Sequence, residues 1–204
     1  KSPAEIECMR QSGAILRDCL LYLEEKAKPG VSTKKLDEFA YDYIKKHNST
    51  PSFLGYGGFP GTICASIDEV IGEVSEEKQR LVQTTRESFF EGVKQFKDGG
   101  HLGDISHAIQ VYCEDRGYGI VRSMTGHGIG REMHEDPAVP NYGRAGHGPR
   151  LQVGMVLAIE PMVNMGTWQT LEDGWKCETL DGQPSAHYEN TVALTENGAE
   201  ILTL

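Results

Sequence analysis

The chain has 204 residues, of which 38% are hydrophobic and 25% charged. That is the profile of a soluble globular protein, long enough for one good-sized domain or two small halves around a shared core. A net charge of −10 argues against a general binder of nucleic acid or anionic membranes, because those depend on clustered Lys and Arg.

No apolar run approaches the ~18 residues of a membrane span, and no signal peptide opens the sequence, so a cytoplasmic protein is expected. The start at Lys1 rather than Met points to missing first residues. Five cysteines (Cys8, Cys19, Cys64, Cys113, Cys177) are scattered and lack CxxC spacing. They read as reduced thiols rather than zinc ligands or a disulfide framework.

A first helix is predicted in "SPAEIECMRQSGAILRDCLLYLEEKAKPG". Ser2 serves as N-cap, Pro3 suits the first helical position, Glu5 completes a capping box, and Pro29-Gly30 stops the helix. Ile6, Met9, Ala14 or Gly13, Leu16, Leu20 and Leu23 recur at helical spacing. A second helix follows in "STKKLDEFAYDYIKKHN", with Leu36, Phe39, Ala40, Tyr43 and Ile44 on one face. "PSFLGYGGFPGTICASIDEVI" is turn-rich and then β-like, with one strand expected near Ile63–Ile71. "SEEKQRLVQTTRESFFEGVKQFKDGG" and "LGDISHAIQVYCEDRGYG" give a third and a fourth helix. From Tyr118 onward the chain is strand and turn: "GIVRSMTG", "GMVLAIEPMV", "GWKCETL", "HYENTVALT" and "AEILTL".

A weak internal repeat joins the two helical regions. "KPGVSTKKLDEFAYDYIKKH" aligns without gaps with "KDGGHLGDISHAIQVYCEDR", so that Leu36 falls on Ile105, Ala40 on Ile109 and Tyr43 on Tyr112. Each is followed by a glycine-rich segment. The halves are unequal: the first lacks strands that the second has.

Four places can carry chemistry. In "GHGIGREMHEDP", His127 lies between glycines, which let backbone or ligand come close, and His134 follows seven residues on. In "GMVLAIEPMV", Glu160 interrupts an apolar run, where an unpaired carboxylate is costly. In "HYENTVALT", Glu189 stands at the mouth of another apolar strand. "GYGGFP" and Trp175 set aromatics beside glycine turns, a wall for a small apolar pocket.

One imidazole and two carboxylates on separate strands suit a divalent Mn, Fe, Co or Zn ion, with His134 left free to donate to an oxyanion. Blander readings stand beside this one: a structural histidine in a glycine loop, and a strand Glu facing solvent at a sheet edge. Glu135, in an acidic run, reads as solvated. His101, His107, His147 and His187 have no constellation around them and read as surface.

At these residues the chain resembles the methionine aminopeptidases of the bacterial type. "GHGIGREMHEDP", "IEPMV" and "YENTVALTENGAEILTL" resemble that family's metal-site and carboxy-terminal motifs. "KPGVSTKKLDEFAYDYI", "GYGGFPGTICASI" and "GWKCETLDGQPSAHYENT" resemble the rest of its catalytic domain. The similarity runs nearly end to end. It implies an α/β (α+β) pita-bread fold, one domain over 1–204 with pseudo-repeat halves at about 1–71 and 72–204.

It also implies metal-dependent removal of N-terminal methionine from peptides or nascent proteins. His127, Glu160 and Glu189 match metal ligands, and His134 matches a substrate-contacting histidine. Tyr56, Phe59, Cys64, Met133 and Trp175 match the methionine pocket. The chain departs from the pattern after "ASIDEVI": the family's "HGIP" segment, its two aspartate ligands and its assisting histidine are absent. At most one divalent ion and impaired activity are therefore expected, with a homodimer through exposed strand edges as a further expectation. A non-catalytic peptide- or protein-binding module is the alternative.

Overall fold

The computed structural model describes residues 1–65 and 75–204. The strand expected near Ile63–Ile71 falls mainly on residues 66–74, as do Asp68 and the junction after Ile71. Those expectations lie outside the described residues.

Four helices come first: α1 (Pro3–Lys26), α2 (Thr33–Lys46), α3 (Glu76–Val93) and α4 (Leu102–Glu114). Their starts follow the sequence chemistry. Ser2 Oγ accepts from the Glu5 N–H at 3.3 Å while Glu5 Oε2 accepts from the Ser2 N–H at 2.8 Å, the reciprocal capping box. Ser32 caps α2 through the Lys35 N–H, and Ser75 caps α3 through the Lys78 N–H. Asp104 in α4 accepts from the His101 N–H at 2.8 Å.

The helices pack in pairs, α1 on α2 and α3 on α4. Phe39, Ala40, Tyr43 and Ile44 of α2 close on Cys19, Tyr22 and Leu23 of α1. The apolar periodicity of α1 overstates its buried face. Ile6, Gly13, Cys19 and Leu23 are buried, whereas Leu16 and Leu20 stay exposed. Gly13 explains the rotation: a Cβ there would lie 2.2 Å from the Leu202 carbonyl oxygen, so the helix seats its glycine, not its leucines, on the C-terminal segment.

Ten strands follow: β1 (Gly119–Ile120), β2 (Gly126–Gly128), β3 (Glu135–Val139), β4 (Val156–Ile159), β5 (Met162–Asn164), β6 (Thr170–Asp173), β7 (Lys176–Thr179), β8 (Ser185–His187), β9 (Asn190–Thr195) and β10 (Gly198–Ile201). All strand pairings among the described residues are antiparallel. One sheet runs β10-β9-β4-β2-β3, a second runs β1-β5-β8, and β6-β7 is a hairpin.

"GMVLAIEPMV" is therefore two strands in two sheets, not one strand. Pro161 is the reason, because it has no N–H to give the ladder. The register nevertheless carries through. Ile159 pairs with Asn190 and Met162 with His187, which places Glu160 opposite Glu189 and Pro161 opposite Tyr188. The Tyr188 N–H donates to the Pro161 carbonyl at 3.1 Å, the one bond of that pair still available.

Alternation sorts the side chains onto two faces. Leu157, Ile159, Val163, Val192 and Leu194 meet Leu81, Phe89, Ile105, Ile109 and Cys113 of α3 and α4 in the main core. Val156 and Ala193 point the other way, against Ile6 and Leu202. Ala158, Glu160 and Glu189 belong to this second face by the same period.

The core makes a chemical prediction. Burial pushes the Cys113 thiol up to about 11, and Cys19 is also buried with its thiol raised, whereas Cys8, Cys64 and Cys177 are exposed. Iodoacetamide in mildly alkaline buffer should label Cys8, Cys64 and Cys177 in the native protein and reach Cys19 and Cys113 only after denaturation. Peptide mass mapping reads the difference, and equal labelling of all five would contradict this core.

Candidate metal and peptide site

Glu160 and Glu189 occupy a pair flanked on both sides by hydrogen-bonded pairs, Ile159–Asn190 and Pro161–Tyr188. That makes theirs the non-hydrogen-bonded type, in which opposing side chains stand closest. Two like charges directly opposed destabilise a sheet unless something of opposite sign sits between them. Tyr188 keeps Glu189 turned to this side. Its ring packs edge-on against Phe89 of α3 at 5.3 Å, so its neighbour on the strand projects from the other face.

His127 comes from the adjacent strand, paired with Ala158 two residues before Glu160 and so on the same face. Its flanking glycines are there for close approach. A Cβ on Gly126 would lie 2.3 Å from the Ala158 oxygen, and one on Gly128 would lie 2.2 Å from the Asp136 oxygen. β2 is thus pressed between β3 and β4 by its own backbone, with a register shift between His127 and Gly128.

His127 Nδ1 lies 2.9 Å from the Gly128 carbonyl. A carbonyl can only accept, so the proton sits on Nδ1, and in the neutral ring Nε2 keeps its lone pair. That Nε2 is 3.6 Å from Glu160 Oε1.

His127, Glu160 and Glu189 each offer one ligand atom, all within 4.8 Å of one another. The donor set fits a divalent transition ion: one oriented imidazole nitrogen and two carboxylate oxygens whose mutual repulsion a cation would relieve. The Glu189 side chain keeps 43% of its surface exposed, yet crowding by protein atoms, then the Glu160 charge, pushes its carboxyl above the usual carboxylate range, against the pull of His187 and His127.

His134 joins this group from the loop before β3. Its ring lies 4.2 Å from that of His127, and its Nδ1 is 2.8 Å from the Tyr56 hydroxyl. Burial, then His127, pushes its imidazole below the ordinary histidine value, with Glu160 opposing. Glu135 positions the loop. Its Oε1 accepts from the Arg131 N–H at 2.8 Å and the Glu132 N–H at 3.2 Å, and its Oε2 pairs with Lys1 Nζ. The reading of Glu135 as a solvated member of an acidic run is corrected by these contacts.

The aromatic residues gather in part. Tyr56, in a one-turn 3-10 helix (Tyr56–Gly58), sets its ring beside that of His134 at 5.2 Å, tilted by 39°. Phe59 meets Trp175 edge-on at 5.2 Å, and Trp175, from the β6–β7 turn, lies against Gly57 although it is itself largely exposed. Asp37 of α2 fastens the end of this glycine loop, accepting from the Thr62 N–H at 2.6 Å and the Ile63 N–H at 3.0 Å. Cys64, just beyond, is exposed and close enough to Glu189 for that charge to help raise its thiol, after burial. Met133 is half-buried next to His134.

Two residues escaped the sequence reading. His187 was read as surface without a constellation. It is partly exposed, but its Nε2 lies 3.2 Å from Glu160 Oε2 and 4.0 Å from Glu189 Oε2, and that reading is corrected. The signal was the spacing His187-x-Glu189, which puts both residues on one face of a strand. Asn141, fully buried, donates from Nδ2 to the Glu160 carbonyl at 2.9 Å. No local pattern marks it, because its partner is 19 residues away.

Comparison with known proteins identifies the family. Residues 69–196 match the model of metallopeptidase family M24. A methionine aminopeptidase of Clostridium acetobutylicum is 50% identical over 244 residues, covering 100% of this chain and 98% of that protein. The crystal structure of methionine aminopeptidase from Rickettsia prowazekii superposes with a TM-score of 0.96 at 34% identity, covering 100% of this chain and 98% of that one. The corresponding structure from Thermotoga maritima gives 0.95 at 37% identity, with the same coverage.

Asn141→Ala should leave the Glu160 carbonyl without its donor and lower stability by about 1–3 kcal/mol. Gly128→Ala should cost about 1–3 kcal/mol through the clash with Asp136. Urea unfolding of the two variants checks both values, and wild-type midpoints would refute the packing described.

Proposed function

Since the chain belongs to the methionine aminopeptidases of metallopeptidase family M24, we propose that it removes N-terminal methionine from peptides through a divalent ion held by His127, Glu160 and Glu189. The observation that carries this is the opposition of Glu160 and Glu189 beside an imidazole whose Nδ1 proton is already committed to Gly128. What the ion supplies when bound is Lewis acidity toward the peptide carbonyl and a water acidified toward neutral pH.

The remaining work falls to the chain's own side chains. His134 is the donor to the substrate carbonyl. When the Tyr56 hydroxyl donates to Nδ1, the neutral imidazole carries its proton on Nε2, the nitrogen left to face a substrate. Tyr56, Phe59, Cys64, Met133 and Trp175 form the wall that receives the methionine side chain. That residue is flexible, polarizable and suited to an aromatic surround.

Activity is proposed to be lower than in relatives with the full ligand set. The sequence contains no "HGIP" segment and no hairpin with paired aspartates after "ASIDEVI". In keeping with this, the alignment to the Clostridium relative extends over 244 positions, more than the 204 residues of this chain. A bridging carboxylate supplies both charge and position, and without it a second ion has no dedicated ligand.

The test is release of methionine from a Met-Ala-Ser peptide with Mn, Co, Fe or Zn added. Turnover should be detectable and at least about a hundredfold below that of the Clostridium relative. No release with any of the four ions would reject the enzyme reading. Calorimetric titration with Mn should show binding that Glu160→Ala abolishes, and binding that survives the substitution would place the ion elsewhere.

A further inference from the structure

We propose that His187 is a metal ligand, binding through Nε2 the same ion as Glu160 and Glu189. The inference deepens the metal site of the preceding reading and rests on it.

Three observations converge. His187 pairs with Met162 and precedes Glu189 by two residues, so strand alternation turns both toward the face that bears Glu160 and His127. Its Nε2 stands 3.2 Å from Glu160 Oε2 and 4.0 Å from Glu189 Oε2. The Glu160 carboxylate is bracketed by two imidazoles, Oε1 facing His127 at 3.6 Å and Oε2 facing His187 at 3.2 Å.

These separations have the scale of a coordination shell. Around a four-coordinate tetrahedral ion with metal–ligand bonds of about 2.1 Å, donor atoms stand about 3.4 Å apart. The 3.2 and 3.6 Å separations match that spacing, and the 4.0 Å one would have to close by a few tenths of an ångström around an ion. His127, Glu160 and Glu189 already place ligand atoms within 4.8 Å of one another, and His187, on the Glu160 oxygen that does not face His127, would add a second imidazole to a donor set suited to Zn, Co, Fe or Mn. The added imidazole restores a protein donor on the side of the carboxylate pair away from His127.

The alternative for the same contacts is a plain imidazolium–carboxylate pair that leaves His187 outside the shell. Zinc titration of protein carrying 15N-labelled histidine separates the two, because long-range 1H–15N spectra report on each Nε2. Added Zn should move the Nε2 resonances of His127 and His187 together, with one stoichiometry. In the calorimeter His187→Gln should weaken Zn affinity by at least about tenfold, while His127 still shifts at saturating Zn. A shift of His127 with His187 unmoved would overturn this inference and leave the metal site standing, as would unchanged affinity in His187→Gln. If neither resonance moves, the metal site fails, and this inference with it.

Discussion

Everything chemical in this protein depends on two carboxylates set face to face across paired strands. Glu160 and Glu189 share a non-hydrogen-bonded register position, held by the Ile159–Asn190 pair on one side and by the Tyr188–Pro161 bond on the other. Left alone, the arrangement is repulsive. It becomes favourable only when positive charge lies between or beside them. The sheet therefore carries a built-in demand, and the neighbouring groups answer it with nitrogen: His127 from β2 and His187 from β8.

The rest of the fold keeps that demand in place. Tyr188 is clamped against Phe89, which commits the strand to present Glu189 on the opposite face. Asn141 reaches from a buried position to the Glu160 carbonyl, which points away from β9 and takes no bond from that strand. The close approach of β2 around its glycines brings His127 within reach. None of these groups belongs to the proposed ligand set, and each limits where Glu160, Glu189 and His127 can stand.

Legibility in the sequence follows the range of the interaction concerned. Helix starts were readable because caps are local: Ser2, Ser32 and Ser75 each act within three residues. The apolar face of α2 was readable from its own period. The face of α1 was readable in part: Ile6, Leu23 and Gly13 lie on it, but Leu202, far along the chain, selects Gly13 as the contact and leaves Leu16 and Leu20 exposed. Glu160 was recognisable as an anomaly, but the splitting of its strand required the partner strand and the missing proline donor. His187 was passed over because a histidine acquires meaning only from what the neighbouring strand places opposite it. The family likeness supplied His127, Glu160 and Glu189 together, while spacing alone left the solvent-facing and structural readings open.

The seating of α1 reaches further than its own helix. Gly13 rests directly on the Leu202 carbonyl, α2 is bound to α1, and Asp37 of α2 holds the end of the loop bearing Tyr56 and Phe59. The ligands, by contrast, ride on the sheet. The position of the aromatic loop relative to those residues is accordingly governed from behind, as a lever is by its fulcrum. A single methyl added at position 13 would tilt the helical pair and swing the aromatic side of the opening, with every ligand left where it was.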